Sequence, residues 1–225
     1  MQRRRFLKVS AIAALARCVR LPAQITETHE AAPPPGARRL ICHWQRMKNR
    51  GKYACDLATT NKGPFDFTQL FVNGKPQILA RYPHATPSGE TVFVNGVRFL
   101  PQGSIIPDFG DAIRIQDLLA IEFDPANFGH AHWGSPQEIV LCLKTANSMV
   151  RIPVLFIDYD RNLLWCKPQN GPASLDTHST PQFYVENVYE ALKLPHEWYL
   201  NRQLGTLYYE TPQGFDINTA VIDVL

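Results

Sequence analysis

A chain of 225 residues is long enough to bury one domain-sized core, and 45% hydrophobic residues with 12 Phe, 8 Tyr and 4 Trp exclude a disordered polymer. The formal charge of +3 is unevenly placed: six of the 23 basic residues (Arg3, Arg4, Arg5, Lys8, Arg17, Arg20) fall in the first 24 positions, which hold no acid, leaving 17 bases against 20 acids. With no basic stripe beyond that segment to displace counterions from phosphates, no nucleic-acid partner is expected.

Val9 to Ala16 form an apolar run behind the basic start, too short to span a bilayer, so no membrane span is expected. Arg3-Arg4-Arg5-Phe6-Leu7-Lys8 resembles the twin-arginine export signal, which reads two arginines, any residue, then Phe, Leu, Lys. The resemblance implies a signal peptide over residues 1–24 and a periplasmic or extracellular location. An uncleaved basic arm is the alternative.

Residues 25–37 contain Pro33-Pro34-Pro35-Gly36, which favours an extended linker, and the folded part is expected to begin near Arg38. From there to residue 215, Pro and Gly recur between short runs of β-branched and aromatic residues. This is the punctuation of a mainly β, antiparallel, sandwich-like domain. Phe71-Val72-Asn73-Gly74 and Phe93-Val94-Asn95-Gly96 each carry an Asn-Gly hairpin signal. Further strands are expected at Glu138 to Leu143, Val150 to Asp158, Leu163 to Lys167, Phe183 to Val185, Trp198 to Leu200 and Thr206 to Tyr209. One short helix is expected from Asn187 to Leu192, with Asn187 as its cap and Glu190 reaching back. In the last strand pair Gly205 closes a bulged hairpin, and Trp198 and Leu200 share a face opposite Tyr199. Cys42, Cys55, Cys142 and Cys166 allow three pairings; none has zinc spacing, and Cys142 and Cys166 read as buried thiols or a cross-strand bridge.

Val185-Glu186-Asn187 with Glu190-Ala191-Leu192, Glu197-Trp198-Tyr199-Leu200-Asn201 and Gly205-Thr206-Leu207-Tyr208-Tyr209 resemble a stretch of right-handed parallel β-helix proteins of carbohydrate metabolism. There the stretch reads close to EN-x-x-EAL, GEWYLD and GTLYY. Phe67 to Lys75 with Ala80-Arg81-Tyr82-Pro83 resemble the same family's strand, hairpin and turn, and Trp133-Gly134 is a fainter match. The resemblance covers about residues 65 to 215. It implies a β-sandwich-like region beside the first coils of a β-helix, in a family with many glycoside hydrolases. Residues 216–225 then read as the start of a coil or a tail. Most or all of the coils, with the family's catalytic carboxylates, are expected to be missing, so no catalytic residue is carried over. His196 stands where the family usually has Gly, and Asn201 where it has Asp.

Three readings of function follow: a partial, non-catalytic region of an exported glycoside hydrolase-like protein that contacts a missing β-helix; a free-standing carbohydrate-binding or interaction module; or a small hydrolase with its own acid pair. A polysaccharide or oligosaccharide is the expected partner, because a pyranose stacks its C–H face on an aromatic ring. Trp133, Glu197, Trp198, Tyr199 and Tyr208 are the ligand-binding candidates, with Tyr82 and Tyr209 behind them; for most of the rings core packing ranks ahead of sugar stacking. Glycoside hydrolysis needs two carboxyl groups, and Asp108, Asp111, Glu122, Asp124, Asp158, Asp160, Glu186, Glu190 and Glu197 are available. Glu197 ranks first, with a structural hydrogen-bonding role ahead of catalysis. Asp158 to Asn162 reads as a tight turn rather than a calcium loop, since a central Gly and closing Glu are missing. His130-Ala131-His132 reads as a polar strand end, and neither metal nor cofactor is expected.

Overall fold

The computed structural model describes residues 32, 34–48, 51–61, 65–86, 88, 90–93, 97–100, 118–128, 132–144, 148–168 and 182–225. The leader, most of the linker, the second Asn-Gly pair, Asp108, Asp111, His130 and Ala131 fall outside them.

Asn73 and Gly74 take positive φ angles of 51° and 72°, as a two-residue hairpin turn requires. They join β4 (Leu70–Val72) to β5 (Lys75–Pro76). This hairpin lies in a four-stranded antiparallel sheet ordered β1 (Arg38–Leu40), β16 (Ile222–Val224), β4, β5, with strands numbered in chain order. A second sheet has the order β2 (Gln45–Arg46), β3 (Lys52–Asp56), β15 (Thr206–Glu210), β14 (Glu197–Asn201), β6 (Ile78–Leu79). Only β6 runs parallel to its neighbour there. Alternation along β14 sends Trp198 and Leu200 inward, to pack with Leu207, Tyr209, Leu70, Val72, Ile222 and Val224. Tyr199 faces the other side, against Ala80 and Leu192. The two sheets thus form a sandwich around one apolar core. Gly205 takes the expected left-handed conformation (φ 62°) in the β14–β15 hairpin, whose register from Trp198–Tyr209 to Asn201–Thr206 is regular rather than bulged.

The third sheet is antiparallel throughout, in the order β7 (Arg81–Tyr82), β13 (Gln182–Glu186), β10 (Val140–Lys144), β11 (Met149–Asp158), β12 (Leu163–Cys166), β9 (Leu119–Phe123), β8 (Val97–Phe99). A register shift between Val154 and Phe156 leaves Phe156 exposed in mid-strand. Its own core gathers Ile121, Phe128, Trp133, Leu141, Ile152, Leu164, Phe183 and Val185. Asp158 to Asn162 is the expected turn, with Asp158 Oδ1 accepting from Arg161 N and Asn162 at φ 57°. All strands of this sheet fall between residues 81 and 186, whereas the sandwich is built from segments before and after. The seven-stranded sheet is therefore an insertion into the sandwich.

The helix expected at 187–192 shrinks to one 3-10 turn, Tyr189–Ala191, and its capping differs. Asn187 sits at φ 57° and spends its side chain elsewhere. Its Nδ2 donates to Leu200 O (2.9 Å) and Glu138 O (3.0 Å), and its Oδ1 accepts from Leu200 N (3.0 Å). Glu190 does not reach back but accepts from Gly134 N. Long-range hydrogen bonds win over the local cap because the groups at stake are buried. Glu138 completes the seam: Oε1 accepts from Arg202 N and Gln203 N, and Oε2 from Arg202 Nη1. The one α-helix among the described residues is Leu57–Thr60, capped by Asp56.

Candidate functional site

Two surfaces of the sandwich gather polar side chains. The first is the outer face of the five-stranded sheet, where pleating sets Glu197 and Tyr199 on the same side as Tyr208 and Glu210. Tyr189, Tyr199 and Tyr208 contact one another with ring centroids 5.1 to 5.8 Å apart, and Lys52 Nζ lies 5.1 Å above the Tyr189 ring. Burial pushes Tyr199 up to about 12 and raises Tyr208 as well, so both stay neutral phenols. Glu197 is buried beside this cluster. Its Oε1 meets His84 Nδ1 at 2.8 Å, and its Oε2 accepts from Lys193 N (3.1 Å) and Leu194 N (3.0 Å). Both oxygens are thereby committed to clamping two loops, the structural role ranked first for this residue. Burial raises the Glu210 carboxyl above the ordinary range; Lys52 opposes the shift and Glu197 adds to it.

Several other acids among the described residues are engaged as well. Glu186 pairs with Arg151, Glu122 with Arg98, and Asp124 caps Ala126. Trp198 has no exposed surface and stacks on Phe67 at 5.4 Å, and Trp133 packs on Phe128 at 4.4 Å inside the other core. Among the ligand-binding candidates, the faces of Trp133, Trp198 and Tyr199 are covered by protein, the core role that ranks ahead of sugar stacking for most of these rings. Tyr209 is buried too, while Tyr208 and Tyr82 are half-buried. His132 stacks on Tyr159 at 4.1 Å, and among the described residues no three His, Cys, Asp or Glu converge as a metal site. No helix of the described residues is long and apolar enough to cross a membrane.

The second surface is a cavity of about 390 Å³, where the β4–β5 turn, His196 and the 212–221 segment meet. Gln77 is fixed on its wall from every side. Its backbone N–H donates to Leu70 O, its carbonyl accepts from Trp198 Nε1, and its Nε2 donates to Lys75 O at 2.7 Å. Its Oε1 accepts from Tyr209 Oη at 2.7 Å and stands 3.1 Å from His196 Nδ1. Facing an acceptor, Nδ1 carries the ring proton and the imidazole presents Nε2. Burial raises Tyr209, which keeps it a donor. His196 sits at φ 72°, a conformation glycine adopts without cost, which is a physical reason for the Gly of the resembling sequences. Sequence reasoning singled out His196 as a departure and did not see Gln77 or Lys75. The departure itself was the signal.

No family model matches the chain, and no curated protein does. A solved structure named glycoside hydrolase shares the fold, with a TM-score of 0.56 at 17% identity over 84% of this chain and 31% of that chain. This chain thus spans less than a third of that protein, and the likeness is one of fold.

Proposed function

We propose that this chain is an accessory β-region of a glycoside hydrolase-type protein, acting on polysaccharide only together with a catalytic β-helix part. The observation that carries this reading is the fold likeness over 84% of the chain to 31% of a glycoside hydrolase. The engagement of its carboxylates supports it: Glu197, the first-ranked acid, already accepts at both oxygens. A hydrolytic pair requires one carboxyl to protonate the leaving oxygen and another to attack or activate water, and a clamped Glu197 serves neither role. Incubation of the purified chain with plant and microbial polysaccharides is expected to release no new reducing ends. Release that disappears in Glu197→Gln or Glu210→Gln would overturn the reading in favour of a small hydrolase.

Export is part of the proposal, on the strength of Arg3 to Lys8. Replacing Arg3 and Arg4 by lysine is expected to hold a fused reporter in the cytoplasm; unchanged export would remove this part. A free-standing carbohydrate-binding module is the second reading, favoured by the half-buried Tyr189 and Tyr208 rings. Retention on an immobilised glycan, lost in Tyr208→Ala, would select it.

A further inference from the structure

The cavity beside His196 differs from the outer sheet face in charge. Lys75 and His196 are its basic groups, and among the described residues no Asp or Glu lines it. An unopposed ammonium favours an anion, and an imidazole whose Nδ1 proton faces Gln77 keeps Nε2 as an acceptor for a hydroxyl. Phe215, half-buried in the lining, supplies an apolar surface suited to the C–H face of a sugar ring. The size falls within the range of small-ligand sites. Gln77, bound through all its polar groups, and the Tyr209 hydroxyl hold the imidazole in place beforehand, which lowers the ordering cost of binding. The residue that receives this support adopts a left-handed backbone that disfavours side chains. A site that retains an imidazole there gives up stability for a polar group.

We infer that this cavity binds a monosaccharide-sized acidic sugar, its carboxylate at Lys75, a hydroxyl donating to His196 Nε2, and its ring on Phe215. The binding holds whether or not the chain belongs to a hydrolase, so absence of hydrolysis has no bearing on it. The test is calorimetric titration of the full chain with D-galacturonate, D-galactose and L-malate. Galacturonate is expected to bind saturably, at least tenfold tighter than either of the others. Equal binding of galactose would overturn the carboxylate seat, equal binding of malate would overturn the ring seat, and no saturable binding of galacturonate would overturn the site. Lys75→Gln is expected to weaken galacturonate at least tenfold, and unchanged affinity would count against the assignment. His196→Gly is the sharper variant, because it relieves the backbone while removing the imidazole. Its melting temperature is expected to rise by about 2–4 °C as galacturonate affinity drops tenfold or more. Affinity retained in that more stable variant would overturn the role of His196.

Discussion

The sandwich and the seven-stranded sheet are built from the same kinds of residue, yet they differ in how their strands are collected. The inserted sheet takes every strand from residues 81 to 186, while the sandwich closes only when residues 38–79 meet 197–224. The cavity, Glu197 and the tyrosine cluster all involve the sandwich, and the inserted sheet is mostly apolar core. The candidate sites thus concentrate where distant segments converge, because convergence sets side chains from several segments against one another. Asn187 and Glu138 are the polar seam between the regions.

The largest expected effect breaks that seam. Asn187→Ala strands the N–H and C=O of Leu200 and the C=O of Glu138, at about 1–3 kcal/mol per buried unsatisfied group, so a loss of about 4 kcal/mol is expected in urea unfolding. Both regions should unfold together; a loss below 1 kcal/mol, or two separated transitions, would show that the seam does not couple them.

Cysteines give the next contrast. The thiols of Cys42 and Cys55 share a hydrogen bond, which with burial raises Cys42 and, against burial, lowers Cys55. In the inserted sheet burial pushes Cys142 up to about 12 and raises Cys166, and β11 separates their strands. Oxidised glutathione is therefore expected to close Cys42–Cys55 alone, the two thiols giving up two protons and two electrons as the glutathione disulfide is reduced. The short loop stabilises the sandwich by about 3 kcal/mol. Peptide mass mapping that finds Cys142 or Cys166 oxidised first would reverse the contrast.

Gly205→Ala probes the sandwich hairpin alone. A Cβ at φ 62° would lie 3.1 Å from the Phe65 ring, and a cost of about 1–2 kcal/mol is expected by thermal unfolding. The smallest effect concerns Glu210. A carboxyl raised in the folded state binds its proton more tightly there than when unfolded, so its contribution is full below the ordinary Glu range and is lost as pH rises through the raised value. Glu210→Gln should flatten this slope of stability against pH and be neutral or slightly stabilising at pH 7. A steeper slope in the variant would show that the carboxylate is stabilised when ionised.

What the sequence revealed of this fold was local. Asn73-Gly74, Gly205 and the alternation of Trp198, Tyr199 and Leu200 were readable because turn angles and pleating depend on neighbouring residues. Asn187 misled because its cap-like setting was overridden by partners 13 and 49 residues away. The aromatic candidates left two roles open for a related reason: a ring that suits a sugar also suits a core, and only the pairing of sheets decides which it meets. Lys75 and Gln77 gave no local signal, since their setting depends on His196, more than a hundred residues on.

The pairing of β1 with β16 reaches into how the protein is made. Arg39 and Asp223, ion-paired at 3.0 Å across these strands, are 184 residues apart. At ordinary elongation rates a ribosome needs about 10–40 s to travel that distance. Throughout that interval the emerging β4 lacks the strand that belongs between it and β1, leaving an unpaired edge. The inserted sheet, complete by residue 186, can fold first and serve as the platform on which the waiting segments assemble. Chaperones that shield strand edges should therefore bind nascent chains halted near residue 200 and release those extended well past residue 225.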